Sequence, residues 1–133
     1  MVDAAYIAGI IDDEGTITLS RKHRNENRQL AITISNTEIA LLTFIIEVVG
    51  AGKITTKRSI STHHTPCFTY AIYNRQTLTL LEQIHRYLRT YKTERSKLIL
   101  RDYINLTPRN GKYSEELLRL RQRFEKTVLN TRP

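Results

Sequence analysis

The stretch 6-YIAGIIDDEG-15 decides how the rest of the chain is read. An apolar run containing Ala8 and Gly9 passes directly into Asp12, Asp13, Glu14 and Gly15. Asp3 is placed to cap a helix over roughly residues 4–12, and Gly15 to break it. A helix carries partial negative charge at its C-terminus, so three carboxylates at that end are disfavoured. A bound cation would relieve the conflict, because Mg²⁺ takes hard oxygen ligands and commonly uses one or two carboxylates together with phosphate oxygens. Ala5 and Gly9 are small residues four apart, and Ala4 and Ala8 repeat the spacing. Together they leave a smooth strip on which a second helix can approach closely. That helix belongs either to the protein's own core or to a second copy. In the second case twofold symmetry brings two acidic ends together, where metal ions between them would serve phosphodiester hydrolysis.

Beyond Gly15 the apolar period changes from helical to two. Ile17 and Leu19 point one way, and Thr16, Thr18, Ser20 and Lys22 the other. After the charged turn 23-HRNENR-28, alternation resumes with Leu30, Ile32 and Ile34 inward and Gln29, Ala31 and Thr33 outward, which predicts a hairpin. Ser35 and Glu38 have capping-box spacing ahead of a helix over 39–49 that stops at Gly50. A second strand pair is expected at 53-KITTKR-58 and 67-CFTYAIY-73. In the latter Phe68, Tyr70 and Ile72 face in, and Thr69, Ala71 and Tyr73 face out. Helices follow over about 76–88, 94–105 and 114–128. The order α-β-β-α-β-β-α-α-α predicts an α+β domain with helices on one face of an antiparallel sheet.

The other face of that sheet carries Thr16, Thr18, Ser20, Lys22, Arg24, Gln29, Thr33, Lys53, Thr55 and Lys57. Hydroxyls and amides mixed with cations suit base edges and phosphates as well as plain solvent. A strand of about seven residues spans roughly 23 Å, enough to follow a major groove over several base pairs. The chain has 133 residues with 21 Lys and Arg against 13 Asp and Glu, a net charge of +8 and a pI near 9.9. That balance favours an anionic partner, nucleic acid before membrane. No segment approaches the ~20 apolar residues of a membrane span, and the start lacks a basic-then-apolar signal sequence. The lone cysteine, Cys67, excludes an internal disulfide and fits a reducing intracellular compartment: the cytoplasm or nucleoid of a prokaryote, or an organelle. His63, His64 and Cys67 supply three donors and no fourth, a weak zinc pattern.

The residues 7-IAGIIDDEG-15 resemble the LAGLIDADG motif of the LAGLIDADG homing endonucleases. The resemblance extends past the motif, because the αββαββα order is that family's core fold. It implies one endonuclease domain over 1–133, with a motif helix of about residues 4–14, a four-stranded DNA-binding saddle and a C-terminal helical extension of about 107–133. One motif copy without internal repeat implies a homodimer on a long, pseudo-palindromic double-stranded DNA site, with Ala5, Ala8, Gly9 and Asp12 at the interface. Glu14, the last acid before the glycine, would be the catalytic metal ligand. Asp13 stands where the family usually has a small residue and is the second candidate ligand. Asp12, with Gly15, would support the helix end. Asn36 falls where the family places a polar residue that positions water near the scissile phosphate; it also has the position of a helix cap. Lys92, with Arg95 second, matches the basic residue that stabilises the phosphate.

The resemblance further implies DNA contacts from the outward sheet residues, with Arg28, Ala31, Thr69, Ala71, Tyr73 and Arg95 added to those above. It implies Mg²⁺ as cofactor, Mn²⁺ as a substitute, Ca²⁺ binding without cleavage, and staggered cuts. A start at Met1 points to an intron-encoded or independent gene rather than an intein insertion. The competing readings are an RNA-splicing maturase, the one case in which RNA would be a partner, and a non-catalytic DNA-binding protein on the same scaffold. Phosphate contacts by Arg119 or Arg123 would add to a mostly solvated face on the last helix.

Overall fold

At Gly15 the chain turns from helix to strand without a loop. In the computed structural model, described here for residues 1–57 and 65–133, α1 (Ala4–Glu14) runs directly into β1 (Gly15–Ser20). The remaining elements are β2 (Gln29–Asn36), α2 (Ile39–Val49), β3 (Lys53–Lys57), β4 (Cys67–Tyr73), α3 (Asn74–Ile84), α4 (Lys92–Asp102) and α5 (Glu115–Asn130). Short 3₁₀ turns at His85–Tyr87 and Ile104–Leu106 end α3 and α4 earlier than the apolar pattern suggests. The described part of the sheet is antiparallel, in the order β1-β2-β4-β3. The two histidines of the weak zinc pattern, His63 and His64, lie outside the described residues.

The helical layer packs on one sheet face, as the residue periods predict. Ala4, Ile7, Ala8 and Ile11 of α1 are buried at helical spacing. They meet Ile17, Leu19, Leu30, Ile32, Ile34, Tyr70 and Ile72 from the sheet's inward positions. Gly15 does not terminate α1 by a left-handed turn: its φ is −96°. It is required by proximity, since a Cβ there would lie 2.8 Å from the Ile11 Cα. The left-handed stop occurs at Gly50, with φ 76°, as expected from the sequence. Asp3 makes no side-chain cap bond. Ser35 is not a cap either, because it belongs to β2 and shares a 2.9 Å hydrogen bond with the Thr69 hydroxyl. The Asn36 side chain instead accepts from the Glu38 N–H at 2.7 Å in the turn ahead of α2, which has no side-chain cap bond.

The C-terminal helix is anchored by a buried cation. Arg121 is 2% exposed, although the sequence suggests an amphipathic helix with its arginines in solvent. Its guanidinium donates to Glu125 Oε2 at 2.9 Å, to the Arg28 carbonyl at 2.6 Å and to the Leu106 carbonyl at 3.0 Å, and it also reaches the Thr107 hydroxyl. It lies 5.1 Å from the Tyr103 ring centre. The same Glu125 oxygen also accepts from the Arg28 N–H at 3.3 Å. Replacing Arg121 by Met would strand a buried carboxylate and two carbonyls, and we predict a loss of about 3 kcal/mol in unfolding free energy. Urea denaturation measures this, and a change below about 1 kcal/mol would contradict the anchoring role.

Candidate DNA-cleavage centre and nucleic-acid interface

Lys92 shows how the acidic helix end is tolerated. This residue opens α4, is 6% exposed, and points its ammonium at the C-terminus of α1, donating to the carbonyls of Ile11 at 2.6 Å and Asp12 at 2.9 Å. Burial lowers its pKa, Asp12 and Asp13 raise it, and Arg95 lowers it; the net shift is downward. The Asp12 carboxylate crosses in the opposite direction. It accepts from the Arg89 N–H at 2.7 Å, the Thr90 hydroxyl at 2.6 Å and the Thr90 N–H at 3.3 Å, in the turn that leads into α4. A cation at one helix C-terminus and an anion ahead of the next helix N-terminus each oppose the local dipole. Asp12 therefore performs helix-end support within its own chain, and its carboxylate is turned to this turn rather than to the free face of α1.

With Asp12 occupied, Asp13 and Glu14 remain exposed at the helix end. Glu14 Oε2 accepts from the Asn36 Nδ2 at 2.5 Å. Asn36 thus binds the Glu38 N–H ahead of α2 with its oxygen and orients Glu14 with its nitrogen. Among the described residues no group of three or more His, Cys, Asp or Glu side chains could enclose a metal. Glu14 and Asp13 are nevertheless hard, exposed oxygen donors, which suits Mg²⁺ when phosphate and water supply most of the coordination.

The outward sheet face is ordered in rows by the strand register. Thr16, Thr33, Ala71 and Lys53 are aligned across all four strands. Thr18, Ala31 and Tyr73 form the row on one side, and Ser20 pairs with Gln29 beyond it. Ser35, Thr69 and Thr55 form the row on the other side, followed by the Lys57–Cys67 pair. Three inter-strand spacings give a face about 14 Å across, close to the ~12 Å width of a major groove. Lys53 lies 5.6 Å from the Tyr73 ring centre. Lys22 and Arg24 are exposed in the β1–β2 loop, where Glu26 Oε1 accepts from the N–H groups of Lys22 and His23, both at 2.9 Å. Those bonds, His23 first, hold the Glu26 carboxyl below its usual range.

Four expected DNA contacts are placed differently. Ala31 and Ala71 lie on the outward face but are 1% and 5% exposed, covered by their larger neighbours. Arg28 is half-buried, with its guanidinium 3.4 Å from the Leu19 carbonyl and 3.8 Å from Glu125. Arg95 is buried and donates to the carbonyls of Ile17 and Thr131, each at 2.8 Å, so it clamps β1 to the chain end instead of meeting phosphate. On α1, Ala5 and Gly9 are exposed as expected, but Ala8 is fully buried and faces the core. A Cβ at Gly9 would meet nothing within 4 Å, so the chain's own packing does not require glycine there. Ser35, overlooked on the outward face, would have been found by carrying the β2 alternation one step further.

No family model matches the sequence, and neither does any curated protein. The solved structure of the homing endonuclease I-CvuI in complex with its target, in the presence of Ca, superposes with a TM-score of 0.80. It covers 98% of this chain and 82% of that one at 20% identity. The chain has the LAGLIDADG homing-endonuclease fold. The archaeal intron-encoded homing endonuclease I-Vdi141I, complexed with DNA, gives a TM-score of 0.76 over 99% and 85% of the two chains at 18% identity. The LAGLIDADG meganuclease I-AabMI, bound to uncleaved DNA, gives 0.68 at 21% identity, covering 92% of this chain and 43% of that one. The homing-endonuclease fold therefore accounts for most of I-CvuI, whereas this chain spans less than half of I-AabMI.

We predict that Lys92→Met lowers unfolding free energy by about 2 kcal/mol without DNA or metal, because two carbonyls at the end of α1 lose their donor. Unchanged stability in chemical denaturation would contradict the lock between α1 and α4.

Proposed function

We propose that this protein is a site-specific DNA endonuclease that works as a homodimer on double-stranded DNA. The observation that carries this reading is Glu14, an exposed carboxylate oriented by Asn36 and joined through Gly15 to the first residue of a polar sheet face, within a homing-endonuclease fold. The exposed Ala5–Gly9 strip supports a second copy crossing α1. Further support comes from α2, whose sequence IALLTFIIEVV buries only Leu42 and Ile45, and from Tyr6, 56% exposed beside Phe44. Such a crossing sets two Glu14 side chains near the twofold axis, and each subunit would read one half-site in the major groove and cut one strand.

The chain's residues divide the work. Thr16, Thr18, Ser20, Gln29, Thr33, Lys53, Thr55, Thr69 and Tyr73 contact bases and backbone, while Lys22 and Arg24 reach phosphates from the hairpin loop. Glu14 holds a divalent metal, with Asp13 next to it. Bound Mg²⁺ would supply polarisation of the scissile phosphate and a water of lowered pKa. Asn36 positions Glu14 and is close enough to the site to orient water. Lys92 fixes the helix end that carries the carboxylate, and places positive charge behind it. Mn²⁺ is expected to replace Mg²⁺, and Ca²⁺ to bind without supporting cleavage.

Incubation with a randomised DNA library should give double-strand cuts at one long sequence in Mg²⁺ and binding without cuts in Ca²⁺. Glu14→Gln should lower the cleavage rate on the order of 10³-fold or more while retaining binding in Ca²⁺. Asn36→Ala, which removes the orienting bond, should cost about 10- to 100-fold in metal affinity or rate. Binding without cutting in every divalent metal would refute the enzyme and leave a DNA-binding scaffold.

A further inference from the structure

A cationic groove lies where β4 passes into α3, beside the polar sheet face and sharing only Tyr73 with it. It has a volume of about 580 Å³ and is lined by Tyr73, Arg75, Gln76, Tyr103, Pro108 and Arg109, among others. Its two charged lining residues are both arginines, Arg75 and Arg109. The walls are held in place. Arg75 Nη2 donates to the Thr107 carbonyl at 2.9 Å, tying the loop that carries Arg109 to the start of α3. Thr107 is itself fastened by its hydroxyl to the Tyr103 carbonyl at 2.6 Å. Asn74, at the junction, has a left-handed φ of 57° and joins both neighbours: its Nδ2 donates to Gln29 Oε1 at 3.3 Å, and its Oδ1 accepts from the Tyr103 hydroxyl at 3.2 Å. A non-glycine residue in that conformation is costly, and surrounding contacts must hold it there.

The groove is continuous with the outward face. Tyr73 ends the Thr18–Ala31–Tyr73 row and also lines the groove, and Gln29, bonded to Asn74, belongs to the next row. A duplex lying along the rows would bring its backbone past this edge. Two arginines without an acid in the lining complement phosphate, and their place at the sheet edge, beyond the rows that face the groove of a duplex, sets them beside the backbone. We propose that the β4–α3 groove is a phosphate-backbone clamp that extends the DNA footprint past the sheet. Arg109 supplies an exposed guanidinium, and Arg75 braces the loop and presents its remaining donors. The inference rests on the DNA-binding reading above and adds the surface that grips backbone beyond the base-reading rows.

The test is the salt dependence of binding to a ~40-base-pair random-sequence duplex in Ca²⁺ buffer, since each phosphate contact adds about 0.9 to the slope of log affinity against log salt. Arg109→Gln should reduce that slope by about one and weaken binding several-fold at low salt. Arg75→Gln combined with Arg109→Gln should reduce it further, with folding verified by thermal unfolding. Arg101→Gln, in the separate groove between α4 and α5, removes the same charge and should leave the slope unchanged. Wild-type binding with an unchanged slope in Arg109→Gln, or an equal fall in Arg101→Gln, overturns the clamp alone. Failure of the wild-type chain to bind any duplex overturns the clamp together with the DNA-binding reading.

Discussion

The Lys92 ammonium, set against the carbonyls of Ile11 and Asp12, is the contact on which the rest of the candidate centre depends. Three acids at the end of α1 are unfavourable in isolation, because the helix dipole and mutual repulsion both act against them. The fold separates them by function. Asp12 is drawn off to Arg89 and Thr90, Lys92 neutralises the carbonyl end, and Glu14 is left exposed but directed by Asn36. The reciprocal arrangement ties α1 to the start of α4, and Gly15 lets β1 leave at once because no Cβ collides with Ile11. Glu14 is thereby fixed relative to the sheet by the helix, by β1 and by Asn36 on β2.

The same strands serve two environments with opposite demands. Inward positions carry isoleucine, leucine and tyrosine into a core covered by helices, while outward positions carry hydroxyls, amides and cations in register across four strands. Because the strand period is two, one residue of slippage would exchange the faces, so burial of the core fixes the placement of the polar rows. Buried arginines stabilise the periphery: Arg121 joins α5 to the β2 start, and Arg95 joins β1 to the chain end. Among the described residues Lys92, Arg95 and Arg121 are buried, so net charge alone overstates how many cations face a partner.

The element order, the two hairpins and the inward residues were legible from period alone, since Ile17, Leu19, Leu30, Ile32 and Ile34 all reach the core. The motif helix was legible too. Long-range polar contacts were not. Lys92 and Arg95 match a phosphate-stabilising cation through the resemblance, and nothing in the sequence signals that Lys92 donates to the carbonyl end of α1 or Arg95 to strand and terminal carbonyls. Arg121 carried a signal that could have been used, since it lies on the same stripe as Leu117, Phe124 and Val128 and four residues before Glu125. Ala8 looked equivalent to Gly9, but consecutive helical residues are about 100° apart, so only one of them faces out.

The central claim is that two copies cross along α1 at Gly9 and so bring two Glu14 side chains to one cleavage centre. The most direct measurement is disulfide trapping of Gly9→Cys in a Cys67→Ser background, because a disulfide requires Cα atoms within about 7 Å. Mild oxidation in the presence of duplex DNA and Ca²⁺ should convert the chain to a covalent dimer, while Arg123→Cys in the same background stays monomeric. Failure of Gly9→Cys to cross-link under conditions in which the protein is bound to DNA would contradict the account.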